Sequence, residues 1–259
     1  MSATRRPRRL RLTGFPLVRQ APRPLRATFL ERPNRYVAVV RRDGAELRAH
    51  LPNPGRLTGT LAPGRTVLLD GPFPERSCPW TVLAVREGRT WVGTVTTLPN
   101  RLFPRLHARG LFPELPAGPL RGEVPVGASR FDFSLGQALV EVKSVTLARG
   151  GRALFPDAVT ARGARHLGEL AEHAAAGRPT AVVFVAQRGD VAWVEPEDDV
   201  DPAFGAALRH AAAAGVRVLA CAVSLEPGGA TAAWRIPVRL GEPVRPSSTP
   251  AARGRSRPR

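Results

Sequence analysis

Ala138-Leu139-Val140-Glu141-Val142-Lys143-Ser144-Val145-Thr146 holds the only lysine of the chain. The sequence has 39 Lys and Arg, so the other 38 are arginine. Where arginine does almost every cationic job, a retained lysine points to a place a guanidinium does not fill. An ammonium is a compact point charge whose proton affinity is tunable; a guanidinium is broad and always charged. The stretch is apolar and β-branched, which predicts a strand over 138–146. Side chains alternate faces along a strand, so Glu141 and Lys143 share one face, with Val140, Val142 and Val145 as apolar neighbours.

The strand implies a partner. Arg130–Leu135 reads as the preceding strand, joined by a turn near Gly136. An antiparallel pair with that turn brings Asp132 beside Glu141. Two carboxylates there repel each other unless a cation lies between them. Hard oxygen donors suit Mg²⁺ (or Mn²⁺), which keeps waters and binds one or two carboxylates plus substrate phosphate. Such an ion activates water and stabilises charge on a scissile phosphate, and Lys143 is placed to orient or deprotonate that water or to neutralise the oxyanion. The spacing Glu-x-Lys is short, however, and an alternating charged edge strand reads the same way.

Around this centre the pattern is α/β. Asn100–Arg109 reads as a helix despite Pro104, then come strands at Glu123–Val126, Arg130–Leu135 and Ala138–Thr146. Ala158–Ala176 is a helical run with Asp157 as its expected N-cap. Thr180–Ala186 is an apolar strand, Pro202–Ala214 an Ala-rich helix and Val216–Ser224 a strand. These alternating elements predict a mixed sheet flanked by helices over 99–240. Upstream, residues 28–98 read as short strands between turns, with Arg41-Arg42-Asp43-Gly44 as a hairpin signal and strands at Tyr36–Val40, Glu46–His50, Thr66–Asp70, Trp80–Arg86 and Thr90–Thr97. Five short strands suit a small barrel of the oligonucleotide-binding (OB) kind; a β-sandwich has the same strand count.

Composition adds constraints. With 259 residues and 43% apolar content, the chain supports a sizeable core. The net charge is +18, which points to a polyanionic partner, most simply nucleic acid. Residues 1–26 hold eight Arg and no acid, and residues 241–259 hold five Arg and one Glu, leaving only +6 for the body. Both ends, 1–27 and 241–259, read as basic disordered tails. Cys78 and Cys221 show no metal spacing, which suits a reducing compartment. No apolar run approaches a membrane span, and the basic amino terminus lacks the apolar core of a secretion signal. The expected setting is cytoplasmic, with no membrane partner.

The chain resembles the sugar fermentation stimulation protein A family, a resemblance carried by six stretches. They are Glu-Arg-Pro-Asn-Arg-Tyr (31–36), His-Leu-Pro-Asn-Pro-Gly-Arg-Leu-Thr-Gly (50–59), Thr-Leu-Pro-Asn-Arg-Leu (97–102), Ser-Arg-Phe-Asp-Phe (129–133), Val-Glu-Val-Lys-Ser-Val-Thr-Leu (140–147) and Phe-Pro-Asp-Ala-Val-Thr-Ala-Arg-Gly-Ala-Arg-His-Leu (155–167). The resemblance implies an amino-terminal OB-like barrel and a carboxy-terminal domain of the PD-(D/E)xK nuclease type. It implies DNA binding and a link to sugar utilisation, with Asp132, Glu141 and Lys143 at the acid–acid–lysine positions. Two departures stand out. The family's His-Cys-Pro-Asn-Thr-Gly reads His50-Leu51-Pro52-Asn53-Pro54-Gly55 here, and its Arg-Gly-Gln-Lys-His-Leu reads Arg162-Gly163-Ala164-Arg165-His166-Leu167.

Further candidates follow. Arg162, Arg165 and His166 stand at i, i+3 and i+4 and form one cationic helix face, either for phosphates or simply solvated. Asn100 and Arg101, which precede the site strands, are further candidates for nucleic-acid contact. On the barrel, Arg35, Tyr36, His50, Asn53 and Arg56 are candidates for nucleic-acid contact. Tyr36 is the only Tyr, so phosphate contacts outweigh base stacking. Asp157, Glu114 and Glu123 are possible supporting carboxylates. Two functions remain open: a divalent-metal-dependent nuclease, or a non-catalytic DNA-binding regulator on a nuclease fold.

Overall fold

The computed structural model describes residues 9–17 and 23–241. In chain order the strands and helices are β1 (Leu10–Arg11), β2 (Leu25–Asn34), β3 (Val37–Arg42), β4 (Ala45–His50), β5 (Thr66–Asp70), β6 (Trp80–Glu87), β7 (Thr90–Gly93), α1 (Leu98–Ala108), β8 (Leu120–Val126), β9 (Ser129–Leu135), β10 (Ala138–Val145), β11 (Leu147–Arg149), β12 (Arg152–Phe155), α2 (Ala161–Ala175), β13 (Thr180–Ala186), β14 (Trp193–Pro196), α3 (Pro202–Ala213), β15 (Arg217–Glu226) and β16 (Gly229–Arg235).

The Asp43-Gly44 pair turns β3 into β4 with positive φ at both residues (50° and 80°), the geometry that a two-residue hairpin requires. β2 is the long member of the first sheet, and its register shifts near Phe29–Glu31 and Glu31–Asn34 let it bend. The order β4-β3-β2-β5-β6 closes through a parallel β4–β6 pairing, Ala49↔Trp80 and His50↔Thr81. The result is a five-strand OB-like barrel rather than a sandwich. Ala38, Val40, Ala49, Val67 and Val82 fill it and are fully buried.

The second domain is a seven-stranded mixed sheet, β1-β16-β15-β13-β10-β9-β8. β13 is buried along its whole length because it runs parallel to β10 on one side and β15 on the other. The α1 side of the sheet is packed by Leu98, Leu102, Phe103 and Leu106. The other face is covered by α2 and α3, through Leu167, Leu170, Phe204 and Leu208. A small sheet, β11-β12-β14, carries the chain from the end of β10 towards α2.

Two expectations are corrected. The stretch 1–27 is not a tail throughout. Leu10–Arg11 pairs with Ala232–Ala233 of β16, and Leu12, Phe15 and Leu17 are buried, because the sheet edge offers an apolar slot to them. Residues 1–8, 18–22 and 242–259 lie outside the described part, so the remaining tail expectation does too. Asp157 does not cap α2. The helix starts three residues later than expected, and Thr160 caps it by accepting from Gly163 N at 3.1 Å. Thr160 is held there by its own N–H, which donates to Asp201 Oδ2 at 2.8 Å.

The two domains are locked by polar side chains. Gln187, just after β13, donates to Val95 O (3.0 Å) and to Ser144 Oγ (2.7 Å), and its carbonyl accepts from Gly93 N (2.9 Å). Arg188 reaches back to Glu87 on β6, to Asp190 and to Thr146 O.

Candidate metal-dependent site

β9 and β10 pair antiparallel, Val140↔Phe133, and so bring Asp132 beside the Glu141–Lys143 face. Asp132 is clamped. Its Oδ1 accepts from Asn100 Nδ2 at 2.7 Å and its Oδ2 from Val142 N at 2.7 Å. Burial and the neighbouring Glu141 charge nevertheless push its carboxyl up to about 6, against the pull of those two bonds and of Lys143. Glu141 goes the other way. Burial pushes it up, but bonds from His166 and Lys143 outweigh that and hold it below its ordinary value.

Glu141 Oε1 receives both partners: Lys143 Nζ at 2.7 Å and His166 Nδ1 at 2.8 Å. Its Oε2 is buried with no hydrogen-bond partner. An orphaned buried carboxylate oxygen is costly unless something else satisfies it. With Glu141 close enough to raise the Asp132 carboxyl electrostatically, this donor set fits a hard divalent cation. Among the described residues no group of three or more His, Cys, Asp and Glu side chains is arranged to hold a metal. A site for such an ion would have two carboxylates, Asp132 and Glu141, as its protein donors, which is within the habit of Mg²⁺.

Two residues expected to touch nucleic acid are instead part of this centre. His166 is 1% exposed and packs on Phe131, ring centroids 5.6 Å apart. Its Nε2 faces Arg162 Nε at 3.4 Å. Asn100, at the start of α1, orients Asp132. The expected single cationic face of α2 is thus corrected. His166 turns inward, while Arg165 is engaged with Ser129 Oγ (2.6 Å) and Glu169 (2.8 Å). The signal was present: His166 lies between the exposed Arg162, four residues before it, and the buried Gly163, Leu167 and Leu170, at the border of the apolar arc.

Other candidates lie elsewhere. Glu114 pairs with Arg235, and Glu123, a β8 residue with positive φ (56°), pairs with Arg130. Neither joins the site. Asp157 Oδ2 accepts from Leu57 N at 3.3 Å, so it ties the second domain to the barrel. Arg35 and Asn53 line a cavity that Lys143 also lines. Asn53 is buried, with its Oδ1 accepting from Gly55 N. Tyr36 stacks on His50 (6.5 Å) beside a separate hollow with Arg76 and Cys78. Arg56 is exposed, and Arg101 lies over the Phe15 ring at 5.4 Å.

The comparisons agree with this anatomy. Residues 30–94 match the family model described as the SfsA N-terminal OB domain, and residues 97–229 match the sugar fermentation stimulation protein RE domain. The chain belongs to the sugar fermentation stimulation protein family. It is similar to the sugar fermentation stimulation protein homologue of Symbiobacterium thermophilum, 44% identical over 83% of this chain and 95% of that one. A homologue from Moorella thermoacetica is 43% identical, covering 78% of this chain and 91% of its own. Among solved structures, that of Pyrococcus furiosus SfsA in complex with Ca²⁺ superposes with a TM-score of 0.77 at 28% identity, over 87% of this chain and 100% of that chain. Among the described residues of this family member, no helix is long and apolar enough to cross a membrane.

Proposed function

We propose that this member of the family binds DNA and hydrolyses phosphodiester bonds with a divalent cation, Mg²⁺ or Mn²⁺, held by Asp132 and Glu141. The observation that carries the reading is the orphaned, buried Glu141 Oε2 next to an ammonium on the other oxygen of the same carboxylate. Glu169 Oε2 and Glu197 Oε2 are buried and unpartnered too, so the weight falls on the neighbouring Asp132, whose carboxyl the Glu141 charge raises. The relative solved with Ca²⁺ supports a preference for hard, oxygen-ligated ions.

When bound, the cation supplies Lewis-acid stabilisation of the phosphate and lowers the pKa of a coordinated water. The protein side of the chemistry follows from the geometry. Asn100 and Val142 N fix Asp132; His166 and Lys143 fix Glu141. Lys143, anchored at 2.7 Å, presents positive charge where the phosphate gains negative charge in the transition state. Water adds to phosphorus, the ester oxygen leaves as an alcohol after gaining a proton, and a phosphomonoester remains.

Arg35 and the exposed Arg162 suit phosphate contacts flanking the centre. Plasmid nicking and oligonucleotide cleavage test the proposal. The full chain with Mg²⁺ or Mn²⁺ is expected to cut, EDTA to stop it, and Lys143→Ala to lower the rate by roughly 10²–10⁴-fold with gel-shift affinity nearly unchanged. Metal-independent behaviour shared by both proteins would leave a DNA-binding regulator without chemistry.

A further inference from the structure

We propose that the cleft between the barrel and the second domain is a subsite for one unpaired nucleotide, so that the substrate is single-stranded beside the scissile phosphate. The proposal rests on the hydrolytic reading only for where that phosphate lies.

The cleft encloses about 400 Å³. That is the size of a cavity that buries one small molecule. A base still paired to its complement, with two backbones attached, does not enter it. Lys143 and Ser144 line the cleft, so it opens directly onto the ammonium held by Glu141. The barrel contributes one wall through Asn53, Pro54 and Gly55, and the segment from Phe155 to Thr160 contributes the other.

The lining is divided in the way a nucleotide is. Pro54, Pro156 and Val159 provide an apolar slot for the faces of a base. Val159 is 71% exposed, one of only three large apolar side chains held in solvent among the described residues. Lys143 and Arg35 are the cations of the lining; Lys143 leans on Glu141 behind it, and Asp157 is the one carboxylate in the lining. A phosphate is repelled by Asp157 and drawn to Lys143 and Arg35. The base therefore lies on the Asp157 side, where a carboxylate accepts from ring or exocyclic N–H groups.

The walls are set in advance. A Cβ on Gly55 would fall 2.2 Å from Asp157 Oδ2, so the two loops already touch as closely as they can. Gln187 pins Ser144 and Val95 from behind. A preformed slot of this size requires a duplex to unstack and unpair one base, which a single strand does far more readily.

The test separates this subsite from hydrolysis by using the full-length Asp132→Asn protein, whose substitution lies outside the cleft. Binding of a short oligodeoxynucleotide carrying one 2-aminopurine is measured as a single strand and as a blunt duplex. The single strand is expected to bind at least ~10-fold more tightly, with 2-aminopurine emission rising as the base leaves its stack. Ala158→Trp, which fills the cleft from its lining, and Arg35→Glu, on the exposed barrel surface, are each expected to remove most of that preference. Equal affinity for the two substrates, or a preference untouched by both variants, overturns the subsite. Mg²⁺-dependent cutting by the unmodified chain without this preference would leave hydrolysis standing and the subsite refuted; the preference without cutting would do the reverse.

Discussion

Two buried charge clusters sit at opposite ends of the short run from Glu141 to Thr146, and they are built differently. In one, Arg188 has a side chain 3% exposed and spends all its donors: on Glu87, on Asp190 and on Thr146 O. In the other, Glu141 takes two donors on one oxygen and none on the buried second, while Asp132 is held as a carboxyl that titrates near 6. The first cluster is saturated and therefore mechanical: it pins the barrel to the sheet. The second is short of positive charge and keeps acceptor capacity in reserve. Burial alone does not mark a site; an unspent lone pair beside mutually repelling carboxylates does.

The comparison breaks most sharply at the lysine. Lys143→Arg keeps the charge, and if the site were another saturated pair it would serve as well. Cleavage is expected to fall by roughly 10²-fold or more, because a planar fork does not occupy the place of a compact ammonium. Steady-state cleavage of a labelled strand reads this directly. Near-normal turnover would make the site resemble the Arg188 lock.

Arg188→Ala leaves Glu87 and Asp190 without their shared partner and removes the tie to Thr146 O. A loss of about 1–3 kcal/mol is expected in urea unfolding, because Thr146 O loses its buried donor while Glu87 and Asp190 remain partly in water. An effect under about 1 kcal/mol would show that this cluster is not the joint it looks like.

Asp132→Asn has the opposite sign. The carboxyl is pushed up to about 6 from 3.8, so the folded chain holds this proton more tightly than the unfolded one. That contribution is fully present below about pH 4 and is lost as pH rises through 6. An asparagine never ionises, and Asn100 can turn its amide to keep both bonds. The variant is therefore expected to match the parent near pH 4 and to exceed it by up to about 3 kcal/mol above pH 7 in metal-free buffer. Divalent cation at about 100 times its Kd should return about 2.7 kcal/mol to the parent and little to the variant. Thermal melts across pH, with and without Mg²⁺, check both halves.

Much of this was visible in the residues. Asp43-Gly44 announced its hairpin, and the apolar runs Thr66–Asp70 and Thr180–Ala186 fell at their observed bounds, because turn chemistry and unbroken burial are local signals. That Asp132 comes beside Glu141 and Lys143 followed from strand alternation and one tight turn; their reading as an acid–acid–lysine set came from the family resemblance. His166 and Asn100 were legible as candidates but not in their roles. A helix period says which residues share an arc, not which edge of the arc meets the sheet. The cap of α2 moved from Asp157 to Thr160 because Asp201, forty-one residues on, holds Thr160, and because Asp157 is drawn to the barrel loop. Such long-range contacts leave no mark on neighbouring sequence.

The pairing of Leu10 with Ala233 has a consequence for biosynthesis. The β1 strand finds its neighbour only when residues more than two hundred positions further along leave the ribosome. At ordinary translation speeds that interval is on the order of 10–40 s. The barrel, whose strands are all near one another in sequence, can mature meanwhile. Leu12, Phe15 and Leu17 must wait in water for their seats, and the arginines flanking them help keep the nascent chain dissolved until the closing strand arrives.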